Sequence, residues 1–141
     1  MQNGIKHAWH FNQSPQKVWE YLTKPELLEQ WFTKTDFQPI VGAKFHFADK
    51  SGKIIYCEVL EVKPFTKLSY LWQYSSANDN KLIDSKVVWT LAPKEHGTEL
   101  QLVHNGFTAL EDHTAHNNGW TTLGNRFVEL LNTSVREPSS N

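Results

Sequence analysis

With 141 residues, 14 basic and 15 acidic side chains and a net charge of −1, the chain has no summed positive field to draw in a nucleic-acid backbone. Its length suits a single core that buries on the order of two-thirds of the unfolded surface, its longest apolar runs stop far short of the ~20 residues a membrane span needs, and no apolar stretch behind a basic start marks an export signal. The lone cysteine, Cys57, cannot form an internal disulfide and reads as an inert core thiol, so the cytoplasm is the expected compartment.

Ile5, His7, Trp9 and Phe11 alternate with Lys6, Ala8 and His10, the period of a strand with one apolar face, here over residues 4–12. Ser14 and Pro15 then offer an N-cap and a first helical position. Val18, Tyr21 and Leu22 recur at helical spacing beside Trp19, giving a short helix over about 15–22. Thr23-Lys24-Pro25-Glu26 reads as a capping box. It precedes the stripe Leu27, Leu28 and Trp31, and a second short helix ending near Phe32.

From there to residue 105 the period is two. Phe45 and Phe47 flank His46, and Gly52 marks a hairpin into 53–62, whose apolar residues fall on both parities, so its inward face stays open. Pro64 closes that strand. Leu68, Tyr70, Trp72 and Tyr74 alternate with Lys67, Ser69, Leu71 and Gln73, and a polar loop follows over 75–80. Val87, Trp89 and Leu91 alternate with Lys86, Val88 and Thr90; after a turn at 93–97, Leu100, Leu102 and His104 lie opposite in parity to Glu99, Gln101 and Val103.

A last helix is expected from near Asp112, with an apolar stripe of Trp120, Leu123, Phe127, Leu130, Leu131 and Val135. About twenty helical residues span ~30 Å, enough to cross a small sheet. Residues 138–141 read as a frayed tail, leaving one domain over 1–137. The order predicts an α+β fold: a curved antiparallel sheet of about six strands around a long C-terminal helix, with two short helices after strand 1.

Several segments stand in a recognisable order: Ser14-Pro15-Gln16-Lys17-Val18-Trp19, Leu22-Thr23-Lys24-Pro25-Glu26-Leu27 with Trp31, Val41-Gly42-Ala43-Lys44-Phe45, Glu58-Val59-Leu60-Glu61-Val62-Lys63-Pro64, Leu68-Ser69-Tyr70-Leu71-Trp72, the run from Gly97 to Phe107, and His116 with Gly119-Trp120. As a set covering about residues 5–131, they resemble bacterial proteins similar to the activator of the heat-shock-protein-90 ATPase, a branch of the START-like helix-grip superfamily. The resemblance implies a helix-grip fold with a cavity between helix and sheet, and relatives that bind lipids, sterols or polyketides. It also implies a link to chaperones and stress response, although the chaperone-contacting domain of the eukaryotic co-chaperone has no counterpart in these 141 residues. It carries over no catalytic residue.

Shared parity places Tyr70, Trp72, Tyr74, Trp89 and His104 on one sheet face. With Trp9, Phe11, Trp31 and Phe45 from earlier elements and Trp120, Leu123 and Phe127 from the last helix, they form the expected wall of a ligand cavity. The competing reading is ordinary core, since aromatic side chains dominate many small cores. Tyr and Trp tips need partners when buried, and a few polar groups among apolar walls is the usual make-up of a pocket. His7 and His104 share parity with these residues and suit either structural hydrogen bonds or acid–base work. His113 and His116, three apart, lack further ligands at metal spacing. Glu58 and Glu61 read as solvated or rim residues, and Gly119 and Gly124 as places of close helix–sheet approach or of room beside Trp120.

No Gly-rich phosphate loop or nucleophile motif occurs, so no cofactor and no metal are expected. The expected function is a non-catalytic module binding a small hydrophobic molecule. The alternatives are a chaperone-associated interaction domain and a cyclase or aromatase using His7, His104 or Glu58.

Overall fold

The computed structural model describes residues 4–48, 52–75 and 82–136, with the backbone alone for 133–136. The tail at 138–141, nearly all of the loop at 75–80, and the Val135 side chain lie outside the described residues. The elements are β1 (Ile5–Phe11), α1 (Pro15–Thr23), α2 (Pro25–Trp31), β2 (Lys44–Ala48), β3 (Ile54–Lys63), β4 (Lys67–Ser75), β5 (Leu82–Lys94), β6 (Gly97–Asn105) and α3 (Leu110–Arg136). This is the predicted order, with α3 beginning two residues earlier than expected.

The strands form one open antiparallel sheet in the order β1-β6-β5-β4-β3-β2. Period-two patterning decides which face each strand buries. On β4, Leu68, Tyr70, Trp72 and Tyr74 are buried; on β5, Ile83, Ser85, Val87, Trp89 and Leu91; on β6, Leu100, Leu102 and His104. The register sets Tyr70 opposite Val87, Val87 opposite His104 and His104 opposite Ile5, so these residues form one row across four strands. A single α3 laid over this face turns the row into the core.

β3 resolves the face that the sequence leaves open. Ile55, Cys57 and Val59 are buried, whereas Ile54, Tyr56 and Leu60 point outward. A bulge in the pairing with β4 between Val59 and Glu61 then shifts the alternation and leaves Val62 partly buried. The apolar residues on both parities are thus a buried set, Ile55, Cys57 and Val59, and an exposed set, Ile54, Tyr56 and Leu60, with Val62 drawn partly inward beyond the bulge.

Ser14 caps α1 as expected, its Oγ accepting from the Lys17 amide at 3.3 Å. The capping box expected at Thr23 is not formed. The Thr23 hydroxyl instead donates to the Trp19 carbonyl at 2.8 Å, prolonging α1, and Lys24 takes the N-cap position of α2 without a side-chain bond. Packing the apolar faces of α1 and α2 so close together leaves room for only one residue between them.

Candidate ligand-binding cleft

α3 approaches the sheet unevenly. Its backbone packs against β1 and α2, and Gly124 is what allows this: a Cβ there would meet the Trp9 indole at 2.1 Å. Towards β3 and β4, large side chains bridge the gap. Among the described residues they leave a partly open cleft of about 270 Å³, lined by Phe32, Lys53, Ile55, Trp72, Ala115, His116, Gly119, Trp120 and Leu123. Gly119 adds to the room, since a Cβ built there would meet no atom within 4 Å.

Of the wall residues expected from sequence, Trp72, Trp120 and Leu123 border this cleft. Trp31, Trp89, Phe11 and Phe127 pack behind it: Trp31 stacks on Phe127 at 4.2 Å, Phe11 lies 4.6 Å from Phe127, and Trp89 meets Trp120 edge-on at 5.4 Å. Phe45 packs on Tyr70 at 5.2 Å. Trp9, half-buried, stacks on His7 at 5.3 Å. His104 and Tyr74 sit beside the cleft, each 5.2–5.4 Å from His116. The lining residues that sequence reasoning did not select are Phe32, Lys53, Ile55 and Ala115. Phe32 follows the last apolar turn of α2, and Ile55 lies on the strand of undecided parity.

The indole and imidazole groups in and beside the cleft are bonded to one another and to nearby backbone. His104 accepts the Trp120 Nε1–H at Nδ1 (2.9 Å), which leaves its proton on Nε2, donated to Ser85 Oγ (2.9 Å); Ser85 in turn donates to the Trp72 carbonyl (2.8 Å). This chain satisfies every polar atom of a fully buried imidazole. Burial, with a smaller contribution from His116, pushes the His104 pKa down to about 2. His116 accepts the Trp72 Nε1–H at Nε2 (3.3 Å) and donates from Nδ1 to the Asp112 carbonyl (3.0 Å), and burial lowers its pKa as well. Both histidines are therefore neutral pins between helix and sheet.

The other candidates fall elsewhere. His7 faces Leu102 across the strand pair rather than His104, and its Nε2 donates to Asn117 Oδ1 at 3.0 Å. His113 donates to the Gly4 carbonyl at 3.3 Å. Glu58 stands on the outward parity opposite Leu71, and Glu61 pairs with Lys67 (3.2 Å) and Lys63 (3.3 Å) at the surface. Tyr70 accepts from Trp89 Nε1 at 2.9 Å, and burial raises its pKa far above the usual phenol range. Tyr74 donates to Asp112 Oδ1 at 3.3 Å; burial first, and then that carboxylate, raises its pKa. Cys57 is buried, and its thiol is pushed up by burial with Asp36 adding to the effect, which makes it inert. No group of three or more metal-ligating side chains occurs among the described residues.

An open antiparallel sheet gripping one long helix, with a side cleft between them, defines a helix-grip protein of the START-like class. The sequence model described as "Activator of Hsp90 ATPase homolog 1-like protein" matches residues 12–132, and the chain belongs to this family. Protein MLL2253 from Mesorhizobium loti is similar, with 32% identity and a TM-score of 0.86 over 91% of this chain and 96% of that one. DynU16, from the dynemicin biosynthetic locus, superposes with a TM-score of 0.84 at 21% identity over 95% of this chain and 49% of its own, so this chain spans about half its length. The Aha1 dimer from Colwellia psychrerythraea gives a TM-score of 0.77 at 20% identity, over 93% of this chain and 97% of that one. These last two likenesses are of fold. No curated protein matches. Among the described residues, no helix is long and apolar enough to cross a membrane.

Proposed function

We propose that the protein is a non-catalytic binding module for a small apolar molecule, held in the cleft between the first half of α3 and strands β3 and β4. The observation that supports this most is the chemistry of the lining. Phe32, Ile55, Trp72, Trp120 and Leu123 present apolar surface, while the indole N–H groups and the imidazoles are bonded to one another. A lining of this kind gains by exchanging water for an apolar guest. It offers no uncommitted imidazole to serve as acid or base, which favours binding over the cyclase reading.

Two Trp rings in the lining give a direct readout. Stripped of co-purified lipid, the protein is expected to change its Trp fluorescence and rise in melting temperature with apolar compounds small enough for the cleft. Trp120→Ala should lose the response. A flat response across aliphatic and aromatic compounds, with no small molecule released in native mass spectrometry of the freshly purified protein, would overturn the reading.

A protein-interaction role is the second reading, favoured by the outward row Ile54, Tyr56 and Leu60 on β3, with Tyr56 59% exposed. Binding of a purified Hsp90-class chaperone that is lost in Tyr56→Ser and kept in Trp120→Ala would support it. Equal binding by the two variants, or none by the unaltered chain, would remove it.

A further inference from the structure

One hydrogen bond between two lining residues narrows the class of guest. Resting on the binding reading above, we propose that the guest is an uncharged aromatic alcohol of the phenol class, its ring among Phe32, Trp72 and Trp120 and its hydroxyl inserted between the Trp72 indole N–H and His116 Nε2.

The pair decides what the polar end of the guest must be. His116 Nδ1 lies 3.0 Å from the Asp112 carbonyl, which can only accept, so the ring proton sits on Nδ1 and Nε2 presents a lone pair. Facing that lone pair, the Trp72 indole can only donate. Both residues border the cleft. A group placed between them must accept from one side and donate to the other. A hydroxyl does both through one atom, whereas a carbonyl or ether oxygen leaves Nε2 without a donor and a carboxylate sets a further lone pair against it. Burial holds His116 back from taking a second proton, so the acceptor persists at neutral pH.

The bond now joining the pair is the one that yields. Trp72 Nε1 stands 3.3 Å from His116 Nε2, whereas the same donor and acceptor types in Trp120 and His104 meet at 2.9 Å. The indoles of Trp89 and Trp31 also donate at 2.9 Å. Hydrogen bonds from N–H to oxygen run to about 3.2 Å, so one long contact gives way to two shorter ones, N–H to the guest oxygen and its O–H to Nε2. His104 is fully buried, which keeps the bond from Trp120 out of a guest's reach, whereas His116 is partly exposed. The rings select the rest of the guest. The planes of Phe32 and Trp72 lie within 12° of each other, and Trp120 is tilted by 52° to Trp72. A flat aromatic guest gains from such offset and edge contacts beyond the area it buries.

The test uses the full chain and three matched ligands in isothermal titration calorimetry: 2-naphthol, its methyl ether, which keeps the rings and the oxygen but cannot donate, and the saturated alcohol decahydro-2-naphthol. Naphthol is expected to bind about tenfold more tightly than the ether, the scale of one hydrogen bond. His116→Phe, which keeps a ring but removes the acceptor, should bring that ratio to about one. A readout on the unaltered chain stands beside the variant: naphthol should move the indole N–H nuclear magnetic resonance of Trp72, assigned through Trp72→Phe, more than the ether does. Equal affinities for naphthol and ether, a ratio kept in His116→Phe, or a Trp72 resonance that naphthol leaves in place would overturn the hydroxyl assignment while the binding reading stands. The saturated alcohol binding as tightly as naphthol would overturn the aromatic half. Failure of all three ligands would overturn this proposal alone if other apolar compounds still shift the melting temperature, and both readings if none does.

Discussion

Gly119 and Gly124 share one helix and one sequence signal, yet they do opposite things. A helical glycine costs about 1 kcal/mol relative to alanine. At position 119 a Cβ enters open space on the cleft side, so Gly119→Ala should stabilise the protein by up to about 1 kcal/mol. At position 124 the same methyl would meet three atoms of the Trp9 indole between 2.1 and 2.6 Å. Trp9 is hemmed in by His7 and Trp89 and has little freedom to move aside. Overpacking of that kind costs about 1–3 kcal/mol, which exceeds the helical gain, so Gly124→Ala should lower stability by about 1–2 kcal/mol. Thermal unfolding of the two variants checks both signs. A Gly119→Ala protein that is also deaf to apolar ligands would show that the room at 119 serves the guest.

At the level of elements, α1 and α2 show what sequence can and cannot convey. Their apolar stripes and proline starts are local features, and both helices lie where those features put them. The capping box does not form because the Thr23 hydroxyl has a second use, donating to the carbonyl of Trp19 one turn back. The vacancy this leaves is testable. Among the described residues, the Lys24 side chain at the N-cap of α2 makes an exposed 3.8 Å ion pair with Glu20, of the sort that contributes little, and no capping bond. Lys24→Ser supplies a capping oxygen and avoids placing a negative charge at the C-terminal end of α1. It should raise stability by about 0.5–1 kcal/mol in urea unfolding, with the m-value unchanged. The strands divide along the same line. β5 and β6 alternate, β4 does so apart from the buried Ser69, and their faces are legible, whereas β3 carries the exposed apolar residues Ile54, Tyr56 and Leu60 between its buried ones and a bulge at Val59–Glu61 that no pattern within the strand reveals. Ile55 has no assignable face in the sequence because its neighbours Ile54 and Tyr56, on the exposed parity, are as apolar as it is.

For the whole molecule, the legible part is the sheet gripping a helix, and the less legible part is how far apart the two stand. Trp72 and Trp120 were both visible as inward aromatics, but whether inward means core or cleft depends on the backbone spacing set by the Gly124–Trp9 contact at the opposite margin. His104 and His116 tie the two layers across the wide side by accepting the indole protons of Trp120 and Trp72. Each can accept only while neutral, so the closure of the fold is linked to pH. His104 faces His116, Ser85, Trp72, Trp120 and Phe107; none supplies a negative charge to favour its imidazolium, and of the two histidines Asp112 acts on His116. Its folded pKa of about 2 lies far below the ~6.5 of an unfolded histidine. Between those values the unfolded chain takes up a proton that the folded chain refuses. Stability from this source is therefore complete above about pH 6.5 and declines as the pH falls, by up to about 1.4 kcal/mol per unit. From pH 7 to pH 5, His104 alone should remove about 2 kcal/mol, and His116, also lowered by burial, acts in the same direction. His104→Gln keeps a donor and an acceptor but no titrating proton. It should start less stable at pH 7 and lose stability less steeply on acidification, by close to one proton in the linkage slope. Urea unfolding at half-unit steps between pH 7 and pH 5 measures that difference, and parallel slopes for the two proteins would show that His104 is not the group that senses acid.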